Sequence, residues 1–138
     1  MKPITVHDAQ AVADMEMVLF SDNCFNEATL RREIELGEGW VIYDGEQLVG
    51  YLLAKRSGMP KRNESILDIL RLGVRSSHQG KGIGTRMLKE TLDENDAMLC
   101  VRRGNTRAIK LYYHHGFRIL GHTEDSWVML RKGHIALV

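Results

Sequence analysis

Apolar residues at Val12, Met15 and Leu19 recur at helical spacing behind Asp8, a residue type suited to a cap, so the pattern predicts a helix from Asp8 to Leu19. A second helix is predicted after Asn26, through Leu30 and Ile34 to Leu36, with Gly37 as its stop. Ile4 to Val6 reads as a short strand. Trp40 to Tyr43, the turn Asp44-Gly45, and Leu48 to Ala54 read as a hairpin. A polar loop from Ser57 to Ser65 then leads into an apolar, strand-like run from Ile66 to Val74. Beyond it, Ile83, Met87, Leu88 and Leu92 fall on one helical face, and Ala97 to Val101 reads as a strand. Asn105 is placed to cap a further helix, and Phe117 to Leu120 and Trp127 to Leu130 close the chain as strands. The predicted order is β-α-α-β-β-β-α-β-α-β-β, with no repeat or low-complexity tract.

The junction between the apolar run and its helix is Gln79-Gly80-Lys81-Gly82-Ile83-Gly84. Glycines at 80, 82 and 84 permit dihedrals that a side chain forbids and bring successive N–H groups close to a ligand. The following helix adds its unpaired amides and the positive end of its dipole, so the segment suits a pyrophosphate. The plainer alternative is a tight strand-to-helix turn. A dinucleotide fingerprint would need Gly-x-Gly-x-x-Gly with an acidic residue about 20 positions on, and a phosphate loop would need Gly-Lys-Ser/Thr. Neither spacing is present.

A second segment, Asn105-Thr106-Arg107-Ala108-Ile109-Lys110-Leu111-Tyr112-Tyr113-His114-His115-Gly116-Phe117, lies downstream. Together the two resemble the GNAT acetyltransferase superfamily. Gln79, Gly82 and Gly84 match its acetyl-CoA pyrophosphate loop, Gln/Arg-x-x-Gly-x-Gly/Ala. The later segment matches its Asn-x-x-Ala-x-x-Leu-Tyr-x-x-x-Gly-Phe helix at each specified position. The resemblance covers nearly the whole chain and implies one GNAT-like domain over residues 1–138, an α/β fold with a central mixed sheet flanked by helices. It also implies acetyl-CoA as co-substrate and an amine as acceptor.

Composition adds limits. A chain of 138 residues fits one domain with a single core. A net charge of +1 gives no general attraction to nucleic acid or anionic lipid, so neither is expected as a partner. Cys24 and Cys100 are too few for a disulfide scaffold, and no metal spacing occurs. No apolar stretch has membrane-spanning length, and the start, Met1 to Thr5, lacks the apolar core of a signal peptide, so a cytoplasmic protein is expected.

Acetyl transfer from a thioester to an amine needs an oriented thioester, a neutral amine, a stabilised oxyanion and a proton for the leaving thiolate. The resemblance assigns backbone binding of pantetheine to Leu72, Gly73 and Val74; Leu72 and Val74 can fill the core as well. It assigns the pyrophosphate to Gln79, Gly80, Lys81, Gly82, Ile83, Gly84 and Thr85, and a cofactor contact to Asn105, whose plain role is an N-cap. Tyr112 stands where the family's proton donor to the thiolate stands, and its alternative is a core aromatic. Tyr113 points about 100° away on an ideal helix and is the weaker candidate.

Asp68 lies where the histone acetyltransferase branch carries its glutamate base, and could act through water; its alternative is a solvated or salt-bridged strand residue. In the protein N-terminal branch the corresponding glutamate position is Cys100 here, which removes one candidate base. Cys100 itself reads as an inert core cysteine rather than an acetyl carrier. His78, His114 and His115 are open between titrating groups and surface residues. Arg75, Lys81 and Arg86 are open between phosphate contacts and solvated charge.

Phe25 to Ile34 and the Val101-Arg102 stretch look like the corresponding segments of the bacterial RimI-type branch, so a protein N-terminal amine is one expected acceptor. Acceptor choice in the family depends on the segments corresponding to Phe20 to Glu35 and Gly121 to Ser126. A small-molecule amine is the other candidate, and a non-catalytic acyl-CoA-binding module is the rival from another class. A homodimer is compatible with each.

Overall fold

The computed structural model describes residues 1–59 and 64–133. Along them run β1 (Lys2–Pro3), α1 (Ala9–Leu19), α2 (Glu27–Leu36), β2 (Glu38–Asp44), β3 (Gln47–Met59), β4 (Glu64–Val74), α3 (Ile83–Leu92), β5 (Asp96–Arg102), α4 (Thr106–His114), β6 (Arg118–His122) and β7 (Ser126–Arg131). The strands hydrogen-bond in the order β1-β2-β3-β4-β5-β7-β6. The sheet is mixed: β4 and β5 run parallel, whereas β1 with β2, β2 with β3, β5 with β7 and β6 with β7 are antiparallel. The expected α/β class and element order are found, with short 3-10 turns added at Val6–Asp8 and Ser76–His78.

Three local expectations are corrected. The first strand is Lys2–Pro3, ahead of the predicted Ile4 to Val6. Ile4 still donates its N–H to the Gly39 carbonyl at 3.0 Å, but Val6 already enters a turn. Asp8 precedes α1 without capping it, because its carboxylate accepts from the Thr5 N–H at 2.8 Å and the Tyr43 hydroxyl at 2.7 Å. The polar loop predicted from Ser57 to Ser65 has its two ends in strands. Strand pairing is a backbone property, and β3 continues to Met59 while β4 begins at Glu64; residues 60–63 of that loop lie outside the described residues.

The fold resolves into two compact units, Met1–Lys55 with Arg71–Thr91, and Arg56–Leu70 with Leu92–Val138. In the first, a Cβ at Gly50 would lie 2.9 Å from Ile83 Cγ2 and 3.0 Å from Met87 Cε, so α3 rests directly on β3. Tyr51, the next residue, projects to the opposite face, where its hydroxyl donates to Glu16 of α1. This unit therefore layers α3, strands, and α1 with α2. Leu30, Val41, Leu52, Leu53, Met87 and Leu88 are fully or almost fully buried in it, each stabilising the fold by about 1.5–3 kcal/mol. Asn26 caps α2 by accepting from the Thr29 N–H at 2.8 Å, and α2 stops at Gly37 as expected. Gly37 is extended rather than left-handed; a Cβ there would stand 2.3 Å from the Ala54 carbonyl oxygen, and that close approach is what excludes a side chain.

In the second unit the ladders pair Leu67 with Ala97, Ile69 with Leu99, and Leu99 with Met129. These residues share one face and are all buried, as is Val101. The opposite face carries Asp68, Met98, Cys100, Val128 and Leu130, which are half-buried or exposed. Phe117 is fully buried and meets the Tyr112 ring edge-on, with centroids 5.7 Å apart. Gly116, at φ 88°, supplies the left-handed residue that lets the chain leave α4.

Candidate active site

The glycine segment forms a cradle within the first unit. From Val74 the chain passes through the 3-10 turn Ser76–His78 and then Gln79 to Gly82 before α3 begins at Ile83. Gly80 and Gly82 take φ of 80° and 81°, which side-chain-bearing residues rarely adopt. A Cβ at Gly82 would meet nothing within 4 Å, so the space above it is open. Gly84 lies inside the first turn of α3 and not among the left-handed glycines, so the expectation of a special dihedral there is corrected. The α3 ladder begins with the Arg86 N–H donating to the Gly82 carbonyl at 3.0 Å. The first-turn amides of Ile83, Gly84 and Thr85 precede that bond and have no intrahelical acceptor. Left-handed glycines, open space and unpaired amides together fit a pyrophosphate.

Side chains around the cradle brace it. Gln79 Nε2 donates to the Val74 carbonyl at 2.9 Å, tying the loop back to β4. Arg75 Nε donates to the Leu48 carbonyl at 2.8 Å, so this guanidinium is anchored on β3 rather than aimed only at a phosphate. His78 is held between Ser77 Oγ at 2.7 Å and Asp44 Oδ2 at 3.1 Å, a structural role. Lys81 and Arg86 are exposed. Leu72, Gly73 and Val74 lie beyond Ile66–Ile69, the stretch of β4 that the parallel ladder covers.

In the second unit, Asn105 caps α4, its Oδ1 accepting from the Ala108 N–H at 3.3 Å. Tyr112 is 8% exposed, and burial pushes its phenol up to about 12. Among the described residues no buried side-chain polar atom lacks a partner. Tyr113 is exposed, with Arg118 stacked 5.0 Å from its ring centroid. His114 is exposed, and His115 Nδ1 sits 2.9 Å from the Leu111 carbonyl as part of the helix end.

Asp68 is half-buried and sits opposite Met98 in the ladder. Cys100 follows two positions along β5 on the same face, paired with Val128. Cys100 is exposed, which corrects the expectation of a core cysteine: alternation turns it away from the buried face that Leu99 and Val101 share. Among the described residues no group of three His, Cys, Asp or Glu is placed to hold a metal. No helix there is long and apolar enough to cross a membrane.

The family model described as the acetyltransferase (GNAT) domain matches residues 35–119. The chain belongs to the GNAT family. It is 34% identical over 124 residues to N-alpha-acetyltransferase RimI of Mycobacterium tuberculosis, spanning 86% of this chain and 77% of that one. Its fold is similar to the ribosomal-protein-S18-alanine N-acetyltransferase from Escherichia coli, with TM-score 0.79, 18% identity, and coverage of 98% of this chain and 94% of that one. It is equally similar, at TM-score 0.79 and 22% identity over 95% and 97% of the two chains, to Arabidopsis thaliana Naa50 in complex with the bisubstrate analogue CoA-Ac-MVNAL. This GNAT chain is an acetyl-CoA-dependent N-acetyltransferase.

One cluster in this GNAT chain escaped the sequence reading. Glu16, with no exposed surface, accepts from the Tyr51 hydroxyl, from Arg71 Nε at 3.1 Å and from the Phe25 N–H at 3.0 Å. Burial first, and then the Glu16 charge, push the Tyr51 phenol far above its ordinary value. The available signal was a carboxylate beside Met15 on the buried face of α1. Its three donors hold Glu16 as a buried anchor.

Proposed function

We propose that the chain acetylates the α-amino group of a protein or peptide by direct attack on acetyl-CoA, acting as one catalytic domain in the cytoplasm. The observation that carries this reading is the 34% identity to an N-alpha-acetyltransferase across 86% of the chain. An α-amine has an unperturbed pKa near 8, so it reaches the neutral form with far less help than a lysine near 10.4. That suits a chain with Cys100 at the position of a glutamate base.

In this reading the amides of Gln79, Gly80, Lys81, Gly82, Ile83, Gly84 and Thr85 hold the pyrophosphate, and the backbone of Leu72, Gly73 and Val74 holds the pantetheine. Asn105 adds a cofactor contact while capping α4. The amine nitrogen bonds to the thioester carbonyl carbon and loses its proton through water to Asp68. As the tetrahedral intermediate collapses, the carbon–sulfur bond breaks and Tyr112 gives its phenolic proton to the departing sulfur. A phenol at about 12 is fully protonated at neutral pH, as an acid must be.

The test is an acceptor panel with acetyl-CoA: peptides with a free N-terminus, the same peptides blocked there and bearing lysine, and small polyamines, read by CoA release and product mass. Acetylation of the free N-termini is expected. Preference for the blocked peptides or the polyamines would overturn the acceptor assignment, and tight acetyl-CoA binding with no turnover would mark a binding module.

A further inference from the structure

The loop from Phe20 to Asn26, joining α1 to α2 in the first unit, is held by one buried carboxylate and one arginine. Glu16 accepts from the Phe25 N–H at 3.0 Å and from Arg71 Nε at 3.1 Å. Arg71 Nη2 donates to the Asn23 carbonyl at 2.5 Å. The same guanidinium stacks between two rings of the loop, 4.5 Å from the centroid of Phe20 and 4.3 Å from that of Phe25. Ser21, Asp22, Asn23 and Cys24 are exposed, so burial of their own side chains does little to fix the loop. A buried ion pair is a poor source of net stability compared with apolar packing, and its better-supported use is to select one geometry among several. Here it selects the geometry of a loop.

The place of that loop along β4 gives it a role. The cradle spans 79–84, the proposed pantetheine segment runs back along β4 from Val74 to Leu72, and Arg71 is the next residue. A cofactor laid along this path directs its thioester end towards Arg71 and the loop seated on it.

We propose that Arg71, held by Glu16, is a positioning residue that fixes the Phe20–Asn26 loop as one wall of the amine-acceptor site, so that acceptor affinity depends on it and acetyl-CoA affinity does not. The acceptor half of this rests on the amine-acetylation reading above; the anchoring half does not.

Arg71→Lys keeps a positive charge near Glu16 while losing the planar stack and the forked donors. Deuterium exchange of residues 20–26 should speed up, by about tenfold at the Phe25 amide. The acceptor KM should rise about tenfold with kcat within about twofold. Calorimetric affinity for acetyl-CoA should stay at the wild-type value. Phe25→Leu, which keeps apolar bulk and removes one stacking face, should move the same quantities by less and guards against misfolding of the first variant. Unchanged exchange would overturn the anchor. Faster exchange with unchanged acceptor KM would overturn the acceptor role, and so would an equal loss of acceptor and acetyl-CoA affinity with a lower melting temperature. A wild type that binds acetyl-CoA and acetylates no amine would defeat the functional reading together with the acceptor half, while the exchange data still decide the anchor.

Discussion

Gly73 and Tyr51 contest the same space: a Cβ on Gly73 would stand 2.6 Å from Cε1 and 2.8 Å from Cζ of the Tyr51 ring. The ring has no room to retreat, because it is fully buried and its hydroxyl is committed to Glu16. Position 73 thus excludes a side chain for a packing reason, independent of any ligand running along β4. Gly73→Ala is expected to cost about 1–3 kcal/mol through overpacking. Thermal denaturation checks it, with Gly73→Ala/Tyr51→Leu expected to recover part of the loss. A single variant melting at the wild-type temperature would show that the ring moves aside freely.

What could be read from the sequence was local chemistry. Asn105 announced its helix because a cap is decided within three residues, and its Oδ1 accepts the Ala108 N–H; the helix expected after Asn26 proves to be capped in the same way, by Asn26 itself. The glycine cradle was legible for the same reason, although Gly84 proved to be a helical residue without the special dihedral expected of it. The Glu16 cluster was not legible, because its contacts join residues 35 and 55 positions apart and arise only once β3 and β4 lie beneath α1. Cys100 was misjudged on a single bit of information, the face of β5 it occupies. An apolar neighbourhood in sequence does not decide that; the pairing with Val128 does.

The cradle yields a prediction about Gly82. Its φ of 81° is strained for any β-branched residue, whereas a Cβ there would meet no protein atom within 4 Å. Gly82→Val is therefore expected to act through the backbone and through the approach of the pyrophosphate, not through a clash with the protein's own atoms. The left-handed strain is about 1–2 kcal/mol, and the loop is expected to relieve it by turning its amides away. Calorimetry should show acetyl-CoA affinity lowered by tenfold or more, on the order of 1.4 kcal/mol. Wild-type affinity in this variant would move the pyrophosphate elsewhere.

Tyr112 is expected to lose chemistry rather than packing on conversion to phenylalanine. The ring and its edge-on contact with Phe117 survive in Tyr112→Phe, so melting temperature and acetyl-CoA affinity should hold. Loss of a general acid should lower kcat by about 10²-fold. The pH profile carries a second check. With its pKa pushed up to about 12 by burial, the wild-type phenol stays in the proton-donating form from pH 6 to pH 10. The rate should thus climb as the amine deprotonates near pH 8 and then level, with no descending limb from this residue in that range. A variant with wild-type kcat, under conditions where chemistry limits turnover, would return Tyr112 to the core.

Asp68 carries the base assignment, and pH separates its two roles. It shares a face with Cys100, and the ladder sets it opposite Met98. If Asp68 takes the amine proton through water, Asp68→Asn should depress kcat/KM most at low pH, where the acceptor is still protonated. The deficit should shrink as pH rises through about 8 and the α-amine loses its proton unaided. A purely structural Asp68 would behave differently: the variant would melt earlier and keep the wild-type shape of its pH profile. One peptide acceptor, assayed from pH 6 to pH 10 beside a melting curve, distinguishes the two. Normal turnover with an unchanged profile would remove Asp68 from the mechanism and leave the amine to arrive already neutral, which an N-terminal amine does far more readily than a lysine.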